Sequence, residues 1–155
     1  MMTYEITVEH REAQHAAVVR GTMTPEELPA FFDKTLSEVL GVLGEQGLTV
    51  TGPPFGLYLL IEDGFDVAAG FPVSAPVTPR GSVEPMILQG GTVATTMHVG
   101  SYDDIADAYT ALTEWFAVSD YAPTGAPWEN YLDDPSEPAP RTQVCFPCRP
   151  LDELA

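Results

Sequence analysis

The chain has 155 residues, 45% of them hydrophobic, and its 23 acidic against 6 basic side chains give a formal net charge of −17. That length suits one domain that buries its own core without disulfide staples. No apolar run reaches the ~18–20 residues of a membrane span, and Met1-Met2-Thr3-Tyr4-Glu5 lacks the basic-then-apolar order of a signal peptide. An acidic field repels phosphate backbones and concentrates cations, so the expectation is a cytoplasmic protein with no direct nucleic-acid or membrane partner.

Tyr4, Ile6 and Val8 alternate with Glu5, Thr7 and Glu9, which predicts a half-buried strand, with a second over Ala16 to Arg20. Thr24-Pro25-Glu26-Glu27 is a helix start, with Thr at the N-cap, Pro at the first position and Glu at the third. Leu28, Phe31, Phe32, Leu36, Val39, Leu40 and Leu43 then recur at helical spacing, and Gly47 supplies a left-handed stop. Two strands follow, near Phe55 to Ile61 and Phe65 to Val73, joined by Glu62-Asp63-Gly64. Pro76-Val77-Thr78-Pro79-Arg80-Gly81 reads as a linker. A strand over Val83 to Leu88 turns at Gly90-Gly91 and returns as Thr92 to Val99. Ser101 caps a second helix whose stripe is Ile105, Ala108, Tyr109, Leu112, Trp115 and Phe116. The last strands lie near Trp128 to Leu132 and Thr142 to Cys148, either side of an acidic, Pro-rich loop.

The chain repeats itself. Thr51-Gly52-Pro53-Pro54-Phe55-Gly56-Leu57-Tyr58-Leu59 aligns with Thr124-Gly125-Ala126-Pro127-Trp128-Glu129-Asn130-Tyr131-Leu132. Phe71-Pro72-Val73 answers Phe146-Pro147-Cys148, and Val19-Arg20-Gly21 answers His98-Val99-Gly100. A period of about 75 residues is too long for a solenoid and fits duplication of a small unit. The predicted fold is α+β: a single domain over 1–155 made of two βαββ units, half 1 about 1–76 and half 2 about 81–150. The halves are related by a pseudo-twofold axis, with helices packed on antiparallel sheet and a ligand cleft between them.

Glu129 stands out, because it interrupts an apolar strand where its repeat mate is Gly56. Strand alternation puts Glu129 and Tyr131 on one face and Trp128, Asn130 and Leu132 on the other. If the halves face each other, Tyr58, Tyr131 and Glu129 converge on one cleft, with room left by Gly56. A carboxylate among aromatic rings suits a flat cation, and desolvation would fit it for acid–base work; the alternative is a solvent-facing glutamate near a strand end. Phe71, Tyr102, Tyr109, Trp115 and Trp128 are candidate linings, as are Met23 and Met97; plain core packing is the alternative for each, and the plainer role for Trp115, Tyr109 and the methionines. His98 shares a face with Ala94 and Thr96, as a ligand-orienting or simply satisfied buried histidine. Cys145 and Cys148 have C-x-x-C spacing, but no second Cys or His pair completes a tetrahedral zinc site. They read as small buried hydrophobes, and neither a metal nor a cofactor is expected.

Gly52-Pro53-Pro54-Phe55-Gly56-Leu57-Tyr58, Gly70-Phe71-Pro72-Val73, His98-Val99-Gly100-Ser101-Tyr102-Asp103 and Trp128-Glu129-Asn130-Tyr131-Leu132 together resemble the GyrI-like effector-binding family. The likeness runs over nearly the whole chain. It implies a pocket between the halves, with Glu129 in the place of the family's acidic residue that pairs with lipophilic cations such as dyes. Many relatives are sensing parts of multidrug-responsive activators that carry a helix-turn-helix domain. With so little ahead of Tyr4, a stand-alone member is expected here. The leading expectation is therefore binding of hydrophobic, often cationic aromatic molecules by Glu129, Tyr131, Tyr58, Trp128, Phe71, Tyr102, Met97, His98 and Trp115. Other relatives imply a hydrolase that opens strained cyclopropane rings of DNA-alkylating compounds, with Glu129 as acid–base and Tyr58 or Tyr131 polarising the substrate carbonyl. A third reading is a protein-interaction module that restrains gyrase.

Overall fold

The computed structural model describes residues 4–134 and 136–153. In chain order the elements are β1 (Thr7–Arg11), β2 (Gln14–Met23), α1 (Leu28–Gln46), β3 (Phe55–Ile61), β4 (Gly64–Pro72), β5 (Glu84–Leu88), β6 (Gly91–Val99), α2 (Ile105–Val118), β7 (Tyr121–Pro123), β8 (Trp128–Tyr131) and β9 (Arg141–Pro150), with short 3-10 turns ahead of both helices and after β9. They form two compact units: a continuous one over 13–89, and a discontinuous one that joins 1–12 to 90–155. Each unit is antiparallel sheet with one helix against it.

In the continuous unit the strand order is β3-β4-β2-β5, with Phe55 and Val18 both opposite Gly70 and Ala17 opposite both Phe71 and Pro85. Val39, Val42 and Leu43 of α1 pack on Ala17, Val19, Phe71 and Val73. Leu40, expected on that apolar face, is 49% exposed. The helix is turned so that the Val39, Val42 and Leu43 side meets the sheet. The Thr24 N–H donates to Glu27 Oε1 at 3.0 Å, half of the expected capping box. Gly47 ends α1 at φ 69°, where a Cβ is disfavoured.

In the discontinuous unit the order is β1-β6-β9-β8, with β7 added to β9. Ala108 and Leu112 of α2 pack on Ala94, Val144 and Cys148, ringed by Tyr4, Ile6, Tyr109, Trp115, Phe116 and Phe146 among others. The first strand begins at Thr7 rather than Tyr4. Tyr4 and Ile6 instead pack on the α2 core.

The strand predicted over Val83 to Leu88 does form, but it does not pair back on its neighbour. β5 pairs with β2, while β6 pairs with β1 and β9. The first strand of each sequence half has crossed to the sheet of the other half. The exchange is reciprocal, as the repeat leads one to expect once one strand has crossed.

Candidate functional site

Glu129 lies on β8 opposite Val144, which in turn lies opposite Thr96 of β6. The next row on the same face is Tyr131, Thr142 and His98. This is the face that carries α2, since Val144 and Ala94 pack on Ala108 and Leu112. Both oxygens of the Glu129 carboxylate are engaged. The Tyr109 hydroxyl of α2 donates to Oε2 at 2.6 Å, and the Tyr131 hydroxyl donates to Oε1 at 3.0 Å. Glu129 is 8% exposed. Burial pushes its carboxyl above the ordinary carboxylate range, and the two phenols and His98 oppose that rise only in part.

His98 is fully buried. Its Nε2 lies 2.7 Å from the Ser101 carbonyl, which can only accept, so that nitrogen carries the proton. Its Nδ1 lies 2.8 Å from the Tyr4 hydroxyl, which can donate to it or accept from it. Ser101 Oγ accepts from the Asp103 N–H at 3.1 Å and so fixes the turn that leads into α2. That turn carries Tyr102, whose ring meets Tyr131 edge-on at 5.9 Å between centroids. Burial raises the Tyr102 phenol, with Glu129 adding to the rise. The Thr142 hydroxyl, buried in the middle row, lies close enough to influence Tyr102 but completes no hydrogen bond of full geometry.

The structure thus gathers Glu129, Tyr131, His98, Tyr102 and Tyr109 from the expected set. Trp128 and Met97 point to the opposite face, as their pairing with Cys145 and Gln143 requires. Trp128 is buried there and its indole N–H finds no acceptor among the described residues, whereas Met97 is 37% exposed. Trp115 stacks on Tyr121 and meets Phe116 edge-on, in the aromatic packing at the end of α2. Phe71 and Tyr58 belong to the continuous unit. Phe71 is core, and Tyr58 packs on Phe65 and Phe32.

Tyr109 is the residue whose part the sequence hid, because a tyrosine on an apolar helix stripe looks like core. The signal was in the repeat. Tyr109 is the fifth residue of α2 and Phe32 the fifth of α1, so the second copy carries a hydroxyl where the first has none. The same comparison explains Gly56. A Cβ there would sit 2.7 Å from Phe32 Cζ and 3.1 Å from the Tyr58 hydroxyl. The first copy has filled with rings the space that the second gives to a carboxyl group.

Cys145 and Cys148 fall on opposite faces of β9 and both are buried. Burial pushes the Cys145 thiol up to about 12 and raises Cys148 as well, which leaves neither as a ready thiolate. An open groove of about 460 Å³ runs along the continuous unit beside Gly21, Thr22, Glu27, Phe31 and Lys34. Met23 is the only member of the expected set that lines it.

Among solved structures the chain is similar to EcmrR in its DNA complex, with 22% identity and a TM-score of 0.85 over 97% of this chain. It spans only 59% of that EcmrR chain. The isolated EcmrR C-terminal domain matches at 21% identity and a TM-score of 0.84, covering 96% of this chain and 99% of that one. SAV2435 bound to tetraphenylphosphonium matches at 12% identity and a TM-score of 0.68, covering 96% of each chain. A hydrolase from Listeria innocua matches at 15% identity and a TM-score of 0.66, covering 94% of this chain and 92% of that one. At these identities the likeness is one of fold. No curated protein sequence matches significantly. The family model for the GyrI-like small molecule binding domain covers residues 4–149, and the chain belongs to that family.

Proposed function

We propose that this domain binds hydrophobic, often cationic aromatic small molecules, with Glu129 as the polar anchor. The observation that carries this reading is a buried carboxyl held by two phenols and in no ion pair with a Lys or Arg among the described residues. A buried charge is costly unless paired, so the carboxyl is a vacant half of an ion pair. Tyr131, Tyr102 and Tyr109 add aromatic surface suited to a flat or delocalised cation. A relative bound to tetraphenylphosphonium accords with that chemistry. With 8% of Glu129 exposed, a ligand reaches it by displacing a phenol ring. The net charge of −17 disfavours direct contact with nucleic acid and supports a small-molecule partner. Fluorescence polarisation with a cationic xanthene dye tests the reading. Wild type should bind saturably, and Glu129→Gln should bind about 10- to 100-fold more weakly, the scale of a charge-assisted contact. Equal binding by both proteins, or none by either, overturns it.

A second reading has one observation in its favour. A carboxyl whose proton affinity is raised, 2.6 Å from a phenol, is suited to protonating a leaving group or activating water, and one relative of like fold is a hydrolase. In that reading the domain opens a strained cyclopropane ring, with Glu129 as acid–base and Tyr131 or Tyr109 polarising the carbonyl. Turnover of such an electrophile that survives Glu129→Gln would rule it out.

A further inference from the structure

Among the described residues, two buried side-chain polar atoms have no hydrogen-bond partner: the Trp128 indole nitrogen and the Thr142 hydroxyl. Trp128 faces away from Glu129, but Thr142 shares its face, in the row Tyr131, Thr142 and His98. The polar groups around it are already engaged. Tyr131 and Tyr109 donate to Glu129, His98 contacts Tyr4 and Ser101, and Thr96 donates to the Glu5 carbonyl at 3.0 Å. Thr142 is 0% exposed, and a buried hydroxyl left unsatisfied is destabilising. Valine has the same shape and strand preference without that cost, so nothing in the packing calls for the hydroxyl. Tyr102, which lies beside it, is half-buried and comes from the turn before α2 rather than from the sheet. Its ring can swing aside while the strands stay paired.

We propose that the Thr142 hydroxyl is a second anchor in the Glu129 site, taking a neutral amino or hydroxyl substituent at the end of an aromatic cation remote from its charge. This rests on the reading of Glu129 as the ligand anchor. The register sets the spacing. Glu129 lies opposite Val144 and Tyr131 opposite Thr142, so Glu129 and Thr142 are diagonal neighbours, with Cα atoms about 7–8 Å apart. A fused two-ring system spans that gap, with its charged nitrogen at the carboxylate and its substituent at the hydroxyl. A threonine hydroxyl both donates and accepts, so an amine N–H or a ligand oxygen satisfies it. The substituent takes the place beside Thr142 that the Tyr102 phenol holds without a bond of full geometry. The site then reads two features of a ligand, its charge and the position of one polar group.

The test compares N-methylquinolinium with its 6-amino and 3-amino derivatives. All three are permanent cations of one ring system, and only the 6-amino group lies on the ring away from the charge. Affinities are measured by isothermal titration calorimetry at neutral pH. The wild-type protein should bind the 6-amino compound about tenfold more tightly than N-methylquinolinium, with no such gain for the 3-amino isomer. Thr142→Val should abolish that preference, and Thr142→Ser, which keeps the hydroxyl, should preserve it. A preference that survives Thr142→Val, an equal gain for the 3-amino isomer, or no preference in wild type overturns the proposal. If Glu129→Gln still weakens all three probes, the parent reading then stands. Binding of no probe, or binding indifferent to Glu129→Gln, removes the parent reading and this proposal with it.

Discussion

Burying a carboxyl without a basic neighbour places the cost on its charged form, and that makes stability depend on pH. The Glu129 carboxyl is raised in the folded protein, so its favourable contribution is complete below the unfolded value and is lost as pH climbs through the folded one. Glu129→Gln removes the titration. We expect its Tm to exceed that of wild type at pH 8 and to lose that advantage by about pH 4, where wild type is protonated in both states. A Tm difference that is flat with pH would refute the assignment. Tyr109→Phe should cost about 0.5–1.5 kcal/mol in urea unfolding, one hydrogen bond's worth, and should move the pH dependence to higher pH, since the phenol holds the carboxyl down. At this scale Glu129 and Tyr131 were legible from strand alternation and from the mismatch with Gly56. Tyr109 was not, because its helical spacing matches core packing whether or not its hydroxyl has a partner. Tyr4 and His98 meet across 94 residues of sequence, a separation no local pattern encodes.

At the scale of the elements, glycines separate by what surrounds them. Gly70 lies near the end of β4, paired on both sides with β2 and β3, and a Cβ there would lie 1.8 Å from the Ala17 carbonyl oxygen. Gly70→Ala should therefore cost at least the ~1–3 kcal/mol of an overpacked core, read as a drop in the urea midpoint or loss of folded protein. Gly41 and Gly44 lie exposed within α1 with nothing near a new Cβ. Each change to Ala should stabilise by about 0.5–1 kcal/mol. Helix bounds and most strands were legible, because caps, stripes and alternation are local. The pairing of β5 with β2 was not. Two strands separated by Gly90-Gly91 look like a hairpin, and their side chains alternate in the same way whichever neighbour they join. The short strand β7 escaped notice because three residues are too few to show a period.

At the scale of the molecule the acidic excess dominates. Four of the five arginines are already paired at the surface, where such pairs contribute ~0–1 kcal/mol each, so most carboxylates repel one another unopposed. Raising salt to ~0.15 M shortens the screening length to about 8 Å. The Tm should rise with it, and association with a cationic dye should slow as steering weakens. A salt-independent association rate would show that the global field plays no part in capture. The family was legible from the sequence because its motifs fall in order along nearly all of the chain. The ligand was not, since selectivity rests on distances of a few ångströms among residues far apart in sequence.

The reciprocal exchange of β1 and β5 also sets an order of assembly. All the strands of the continuous unit lie within 13–89, so that unit can close as soon as its last strand leaves the ribosome. β1 cannot: Thr7 waits for Thr95, and loops that long are slow to close. The first strand made is among the last to be placed, and Tyr4, just ahead of it, reaches His98 only then. The cluster around Glu129 proposed as the ligand site is therefore finished at the end of folding, and a nascent chain stalled short of β6 would hold a sound sheet without it.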